Sequence, residues 1–508
     1  MKKFVKFATS RMGSTAITVL IELVFLLFLY FRLNNYFAWI ELILRVLSII
    51  VVLVIISFSR HLSSDLMWIV LIMLIPVGGT LIYLFLEVME YFSSRTHAGL
   101  VREAEAAKTY FDQDEALLKE ALENPDFTGH LNYLKHSAGY SVYRNTGYTY
   151  YPLGELGFEA MKAELSKAEK FIFLEYFIIE PGVMWDSLLE ILKEKAAGGV
   201  DVRVLYDDMG SIGTLPAKYV RTLKAMGIRA QAFNRISPVL NGIMNHRDHR
   251  KILVIDGKTA FSGGINLADE YINRKEKYGH WKDNCIRIKG KAVWSYTVMF
   301  LSIWNASKKE DPDYTIFRAS DFPEEGPADG YIVPYADTPL DGERTGEEIY
   351  LNILNRAKRY CYIVTPYLIL DSDMLNALIL TAKRGVDVRI ITPGIPDKKI
   401  VWRITRSNYF HLILNGIKIY EYTPGFIHGK IFVCDDEIAT VGTINLDYRS
   451  LYLHFENGTA LFGSKQVPAV KDDVLKTLED CHEMTLQETY IGLARTFLFM
   501  IIRIFSPL

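Results

Sequence analysis

His249-Arg250-Lys251-Ile252-Leu253-Val254-Ile255-Asp256 recurs as His428-Gly429-Lys430-Ile431-Phe432-Val433-Cys434-Asp435, so the pattern H-x-K-x-x-x-x-D stands twice in a chain of 508 residues. Each run is short, apolar and rich in β-branched residues, which predicts a β-strand. Side chains alternate along a strand, so the His and Lys of each copy share one face. An imidazole and an ammonium on one spot suit a phosphate. The neighbours repeat as well: Ser262-Gly263-Gly264-Ile265-Asn266 and Val441-Gly442-Thr443-Ile444-Asn445 follow their motifs at the same separation.

Upstream, Ala168 to Phe177 parallels Ala357 to Tyr367, and Gly199-Val200-Asp201-Val202-Arg203-Val204 parallels Gly385-Val386-Asp387-Val388-Arg389-Ile390. A repeat of roughly 180 residues is too long for a solenoid and points to duplication of a domain. Helical stretches such as Ser187 to Ala197 and Ser372 to Arg384 lie between apolar strands. That alternation predicts two homologous α/β halves, each with a mainly parallel or mixed sheet, sharing one active site.

Half of the residues are hydrophobic and the mean hydropathy is +0.12, high for a soluble enzyme. Three apolar stretches, at about residues 14–31, 36–58 and 66–86, approach the length that crosses a hydrocarbon core of ~30 Å. The first and third read as spans. The second contains Glu41 and Arg45, placed to pair on one helix face, and either spans or lies re-entrant. Lys2, Lys3, Lys6 and Arg11 favour a cytoplasmic start for an uncleaved anchor, so two crossings leave the catalytic region inside and three place it outside. The boundaries expected are 1–90 for membrane-anchoring helices, 91–130 for a charged helical connector, 131–325 and 326–485 for the two halves, and 486–508 for an apolar or amphipathic C-terminal helix.

The net charge of −2 excludes a global pull on nucleic acid or anionic lipid. Any such pull is local, from arginines near the motifs such as Arg247, Arg250, Arg403, Arg406 and Arg449. The four cysteines, Cys285, Cys361, Cys434 and Cys481, are far apart in apolar segments and read as core residues. His246, Asp248 and His249 are the nearest thing to a metal cluster, with no second group to complete a coordination sphere, so neither metal nor other cofactor is expected.

The doubled motif with its Gly and Asn turns resembles the phospholipase D superfamily over roughly residues 130–490. The closest likeness is to the bacterial cardiolipin synthases, through Asn245-His246-Arg247-Asp248-His249-Arg250-Lys251, Gly263-Gly264-Ile265-Asn266-Leu267-Ala268-Asp269-Glu270-Tyr271, Trp281-Lys282-Asp283, Thr365-Pro366-Tyr367, Gly425-Phe426-Ile427-His428, and Asn445 to Ser450 followed by His454-Phe455-Glu456. The resemblance implies a fold of two phospholipase D-like α/β halves behind N-terminal transmembrane helices, in a multi-pass protein of the bacterial cell membrane. It also implies a reaction in which two phosphatidylglycerol molecules, anionic membrane lipids, give cardiolipin and glycerol. The catalytic motif set is His249, Lys251, Asp256, His428, Lys430 and Asp435.

Phosphodiester exchange needs a nucleophile, an acid for the leaving alcohol and cations on the equatorial oxygens, which two histidines and two lysines supply. By analogy with the superfamily His249 is the nucleophile and His428 the acid and base, with Lys251, Lys430, Asn266 and Asn445 on the phosphate. A nucleophilic imidazole needs an acceptor on its other nitrogen, and each half offers one downstream: Asp283 after His249, and Glu456 after His428. Asp256 and Asp435 end their strands before turns, where bonding to turn backbone is the stronger reading. Glu175 and Thr365 occupy matching strand ends beside the cleft. Hydrolysis of phospholipids by a membrane-bound phospholipase D is the alternative, decided by how dry the cleft is; a nuclease reading is weakened by the absence of a basic charge excess, and the complete set argues against a silent scaffold.

Overall fold

The computed structural model describes residues 38–489 apart from 59–61, 93, 145–146, 236–244, 308–309 and 323–328, together with Val24, Phe25, Phe28 and Arg32. The chain forms two compact units: Met1–Ala98 with Asn234–His246 and Leu493–Leu508, and Gly99–Phe233 with Arg247–Gly492.

The first unit contains the helices Ala38–Phe58, Leu62–Leu74 and Pro76–Phe92. Ser48 donates to the Pro76 carbonyl at 2.7 Å and Thr80 donates to Ser48 Oγ at 2.7 Å, so small polar residues tie the first helix to the third. Over the described residues no helix is long and apolar enough to cross a membrane. The stretch 66–86, read from the sequence as one span, is divided between helices of 13 and 17 residues that meet before Pro76. Proline supplies no amide hydrogen and clashes with the preceding turn, which interrupts the helix there. The stretch 14–31 lies outside the described residues except for Val24, Phe25 and Phe28, and so does the C-terminal segment from residue 490.

The second unit carries the duplicated α/β region. Its first half supplies β1 (Gly147–Tyr151), β2 (Phe171–Tyr176), β3 (Asp201–Asp207), β4 (Arg229–Phe233), β5 (Lys251–Ile255), β6 (Thr259–Gly263), β7 (His280–Lys282) and β8 (Cys285–Lys289). The second supplies β9 (Tyr331–Asp337), β10 (Tyr360–Val364), β11 (Asp387–Pro393), β12 (Lys418–Tyr422), β13 (Gly425–Ile427), β14 (Ile431–Cys434), β15 (Ile438–Gly442), β16 (Glu456–Phe462) and β17 (Cys481–Glu483). The sheet orders are β1-β8-β6-β5-β2-β3-β4 and β9-β16-β15-β14-β10-β11-β12-β17. They are the same order twice, with β17 added at one edge. In each, three strands run parallel (β2-β3-β4, β10-β11-β12) and the motif strand joins them antiparallel.

The motif strands are β5 and β14, buried at every position, as expected of central strands with both faces covered. Because they run against their parallel neighbours, their N-terminal ends lie at the edge where the parallel strands end. This edge holds both histidines. The helix Val293–Ser307 is mostly apolar, and its Ser295, Thr297, Ser302 and Asn305 are buried as well, so it is interior. Its Phe300 ring stacks on Phe173 of β2 at 4.5 Å, and its Tyr296 hydroxyl bonds Thr459 of β16, so it touches both sheets.

Among the described residues three short pairings join the halves directly, one of them the antiparallel bridge of Tyr143 to Ile332. β13 pairs parallel with β7, Ile427 opposite Lys282, and Asp248 bridges Phe455.

Candidate active site

The cross-half pairings decide the site. His249 N donates to the Phe455 carbonyl at 2.9 Å, Phe455 N donates to the Arg247 carbonyl at 2.8 Å, and His428 N donates to the Lys282 carbonyl at 2.7 Å. The residue after Phe455 is Glu456 and the residue after Lys282 is Asp283. Each histidine is thereby registered against the acid of the other half. His249 Nδ1 lies 2.9 Å from both Glu456 oxygens, and His428 Nδ1 lies 2.7 Å from Asp283 Oδ2. Chain order associates Asp283 with His249 and Glu456 with His428; the fold exchanges them, because the pairing is made by strands from opposite halves.

Both acids are buried. A buried carboxylate needs donors, so Nδ1–H is the bonded tautomer and each Nε2 keeps its lone pair. The shorter acid sits on a glycine: a Cβ at Gly264 would lie 2.0 Å from Asp283 Oδ1. At the matching position of the other half, Thr443 Oγ1 donates to Glu456 Oε2.

Lys251 and Lys430, one residue beyond each histidine's neighbour, donate Nζ to the carbonyls of His249 (2.7 Å) and His428. Burial pushes Lys251 down to about 8 and Lys430 down to about 7. Burial is also the largest cause depressing His249 well below the ordinary imidazole range, followed by Lys251, Lys430 and His428. His428 falls to about 4 through burial and Lys430, with Asp283 opposing. The mutual influence places both histidines and both lysines in one electrostatic neighbourhood.

The remaining expected residues divide. Asn266 Oδ1 accepts from Ile178 N at 3.0 Å and its Nδ2 donates to Tyr271 at 2.7 Å; Asn445 Nδ2 donates to Ser450 at 3.0 Å. These bonds fix the loops after β6 and β15, and Asn445 Oδ1 is buried with no partner. Asp256 and Asp435 close the far ends of the motif strands in the left-handed region, at φ 53° and 58°. Asp256 accepts from the amides of Glu169, Lys170 and Phe171 at 2.7–2.9 Å, and Asp435 from those of Lys358, Arg359 and Tyr360 at 2.7–2.9 Å. They belong to the repeated motif but act on backbone.

Glu175 and Thr365 are not equivalent. Glu175 pairs with Ile252 across β2 and β5, whereas Val364, one residue before Thr365, pairs with Ile431. One residue of register reverses the face. Glu175 therefore lies behind the site with Asp248, whose carboxyl burial pushes up to about 7, and Arg250 Nη1 at 3.8 Å. Thr365 Oγ1 instead ties the Tyr367 carbonyl to Leu446 N. Arg247, held by Asp207 at 3.0–3.1 Å, and Arg250 are buried, which removes them as surface attractants.

The stretch His454-Phe455-Glu456 also brings His454 to the site. His454 stands two residues before Glu456, where Trp281 stands two before Asp283. The His454 and His249 ring centroids are 5.6 Å apart, and those of Trp281 and His428 are 5.5 Å apart. His454 Nδ1 is buried without a hydrogen-bond partner, 3.8 Å from Glu456. His249, His454 and Glu456 bring three potential ligand atoms within 4.8 Å, so a grouping that sequence spacing did not reveal exists in the fold. Cys285, Cys361 and Cys434 are buried as expected and Cys481 is half-buried.

Two duplicated α/β domains presenting paired H-x-K motifs to one site define the class: a double-domain phospholipase D-like fold. A solved phosphatidylserine synthase from Haemophilus influenzae shares it, with a TM-score of 0.55 at 15% identity over 70% of this chain and 95% of that one. The family model described as cardiolipin synthase, PLD-like domain, matches residues 161–304 and 350–476, and one described as phospholipase D-nuclease N-terminal matches 46–87. Cardiolipin synthases of Halalkalibacterium halodurans (32% identity, 91% of this chain and 92% of that protein) and Geobacillus kaustophilus (34%, 84% and 86%) are similar throughout. An uncharacterised protein of Streptococcus mutans is 44% identical over 90% of this chain and 99% of its own length. The chain belongs to the bacterial cardiolipin synthase family of the phospholipase D superfamily.

Proposed function

We propose that this phosphatidyltransferase makes cardiolipin from two molecules of phosphatidylglycerol through a phosphatidyl-histidine. His249 Nε2 attacks the phosphorus of the first lipid while the phosphorus–oxygen bond to its headgroup glycerol breaks. His428, protonated once the diester anion is bound, gives its Nε2 proton to that oxygen, and glycerol leaves. His428 then takes the proton from a headgroup hydroxyl of the second phosphatidylglycerol. That oxygen attacks the phosphorus, the phosphorus–nitrogen bond breaks, and both histidines return to their starting states. Lys251 and Lys430 release the motif carbonyls to hold the non-bridging oxygens, with Asn266 and Asn445 beside them.

The observation that carries this reading is the exchanged pair of histidine–carboxylate contacts, which leaves two Nε2 atoms for one phosphorus. Burial and the two lysines hold His249 neutral, as a nucleophile requires, and the support His428 receives from Asp283 suits an acid. Burial of all four groups favours a lipid alcohol over water as the second substrate, against the phospholipase D alternative. The apolar N-terminal sequence, with Ile43, Ile49, Leu53 and Phe58 exposed on the helix Ala38–Phe58, supports anchoring in the bacterial cell membrane by N-terminal transmembrane helices. Rapid acid-free quenching during turnover, followed by peptide mass spectrometry, is expected to find the phosphatidyl group on His249. Its recovery on His428 would reverse the roles, and an enzyme that turns over without any adduct would exclude the covalent route.

A further inference from the structure

Positions equivalent by strand register carry matching surface features at the rim of the site. Met209 follows β3 by two residues and Ile395 follows β11 by two, and both side chains are exposed, at 38% and 40%. Gly210, beside Met209, abuts Phe177, whose ring lies 4.9 Å from that of His249. Ile395 N donates at 3.1 Å to the carbonyl of Gly425, on the strand that leads into His428. An exposed apolar side chain therefore stands on the loop that packs against each histidine's surroundings, Phe177 for His249 and the strand β13 for His428.

Ile395 continues into a basic stretch. Lys398, Lys399 and Arg403 are exposed, as is Ile400 at 63%, on the first turns of the helix Lys399–Leu414. Among the described residues these three cations have no carboxylate within ion-pairing distance, whereas their neighbour Arg406 is held by Glu421 at 3.0 Å. Lys398 is close enough to the site to contribute to the depression of His249. Lys398 also lies over the Tyr367 ring at 5.5 Å, and cations without a carboxylate partner, interleaved with exposed aliphatic side chains, match an anionic interface with an apolar layer beneath it.

We propose that this rim docks the catalytic unit onto an anionic lipid bilayer, with Met209, Ile395 and Ile400 entering the acyl boundary and Lys398, Lys399 and Arg403 on lipid phosphates. The cleft then opens into the headgroup layer, and a phospholipid reaches His249 without leaving the leaflet. Docking rests on the lipid-transfer reading for its purpose but not for its observable. Each basic side chain near an anionic surface is worth about a fivefold change in partitioning.

The test uses the full chain, reconstituted in vesicles of phosphatidylglycerol and phosphatidylcholine or supplied with short-chain phosphatidylglycerol dispersed singly in detergent. The variant Lys399→Glu/Ile400→Asp/Arg403→Glu is expected to lose at least tenfold in turnover on vesicles and to stay within about twofold of wild type on the dispersed lipid. Equal loss on both, or no loss on either, overturns the proposal. Independently of activity, a fluorophore on Ile400→Cys in a Cys481→Ser background is expected to be quenched by acyl-chain spin labels, and one on Leu380→Cys, equally solvent-exposed in the helix Ser372–Lys383, is not. Equal quenching at both sites also overturns it. Wild type that makes no cardiolipin from either lipid form while residue 400 is quenched refutes the transfer reading and leaves the docking surface standing.

Discussion

Asp283→Asn and Glu456→Gln distinguish the exchanged pairing from the order of the chain. Each removes one charge from a 2.7–2.9 Å contact with an imidazole Nδ1. An amide can present either end to Nδ1, so the tautomer is no longer enforced, and the imidazolium loses its counter-charge. Loss of tautomer control in a comparable histidine–carboxylate couple costs about ten-thousandfold in kcat, and both variants are expected near that loss with phosphatidylglycerol. They separate on a substrate with an activated leaving group, phosphatidyl-p-nitrophenol, whose first step needs no acid. A general acid contributes about 10²–10⁴, and that part is restored when the impaired histidine is the acid. Asp283→Asn should therefore release a burst of p-nitrophenol near the wild-type rate, as His428→Ala does, whereas Glu456→Gln should be as slow as His249→Ala. The reasoning is refuted if Asp283→Asn groups with His249→Ala and Glu456→Gln with His428→Ala.

Three further outcomes follow from the same geometry. Gly264→Ala would put a Cβ 2.0 Å from Asp283 Oδ1 and must displace it, so kcat should fall at least a hundredfold with little change in melting temperature. Burial pushes Lys430 and Lys251 down to about 7 and about 8 from an ordinary 10.5, so kcat/KM for phosphatidylglycerol should decline above about pH 8, and substrate binding at pH 8 should take up protons, measurable by calorimetry in two buffers. The native state binds fewer protons than the unfolded chain between these values and 10.5, so stability should rise with pH across that window; a rate still climbing at pH 10 would contradict the role of the lysines. Asp256→Ala strips three backbone amides of their acceptor and should lower stability by about 2 kcal/mol while the folded enzyme keeps its kcat.

The duplication, the mixed sheets and the motif strands were legible because they rest on local pattern: a period of two, β-branched runs and turns repeated at one spacing. Thr443 and Gly264 show what was not. They occupy the same place in the repeat, yet one donates to a glutamate and the other makes room for an aspartate, and only packing reveals which acid length each accommodates. The exchange of Asp283 and Glu456 depends on β7, β13 and the Asp248–Phe455 bridge, contacts between segments too short to carry a periodic signal. Arg247 and Arg250 look like surface charges in a basic stretch and are buried by Asp207 and by the interior helix, whereas the cations that do face solvent, Lys398 and Lys399, lie outside any motif. Glu175 was placed on the wrong face by a slip of one residue, the smallest error a strand allows and one that reverses every side chain.

The proposed reaction moves a phosphatidyl group from one lipid to the alcohol of another. The most direct measurement reconstitutes the purified chain with phosphatidylglycerol as the sole lipid and identifies the products by mass spectrometry. Cardiolipin and glycerol in equal amounts are expected. Phosphatidic acid in place of cardiolipin would show that water reaches the phosphatidyl-enzyme and would contradict the account.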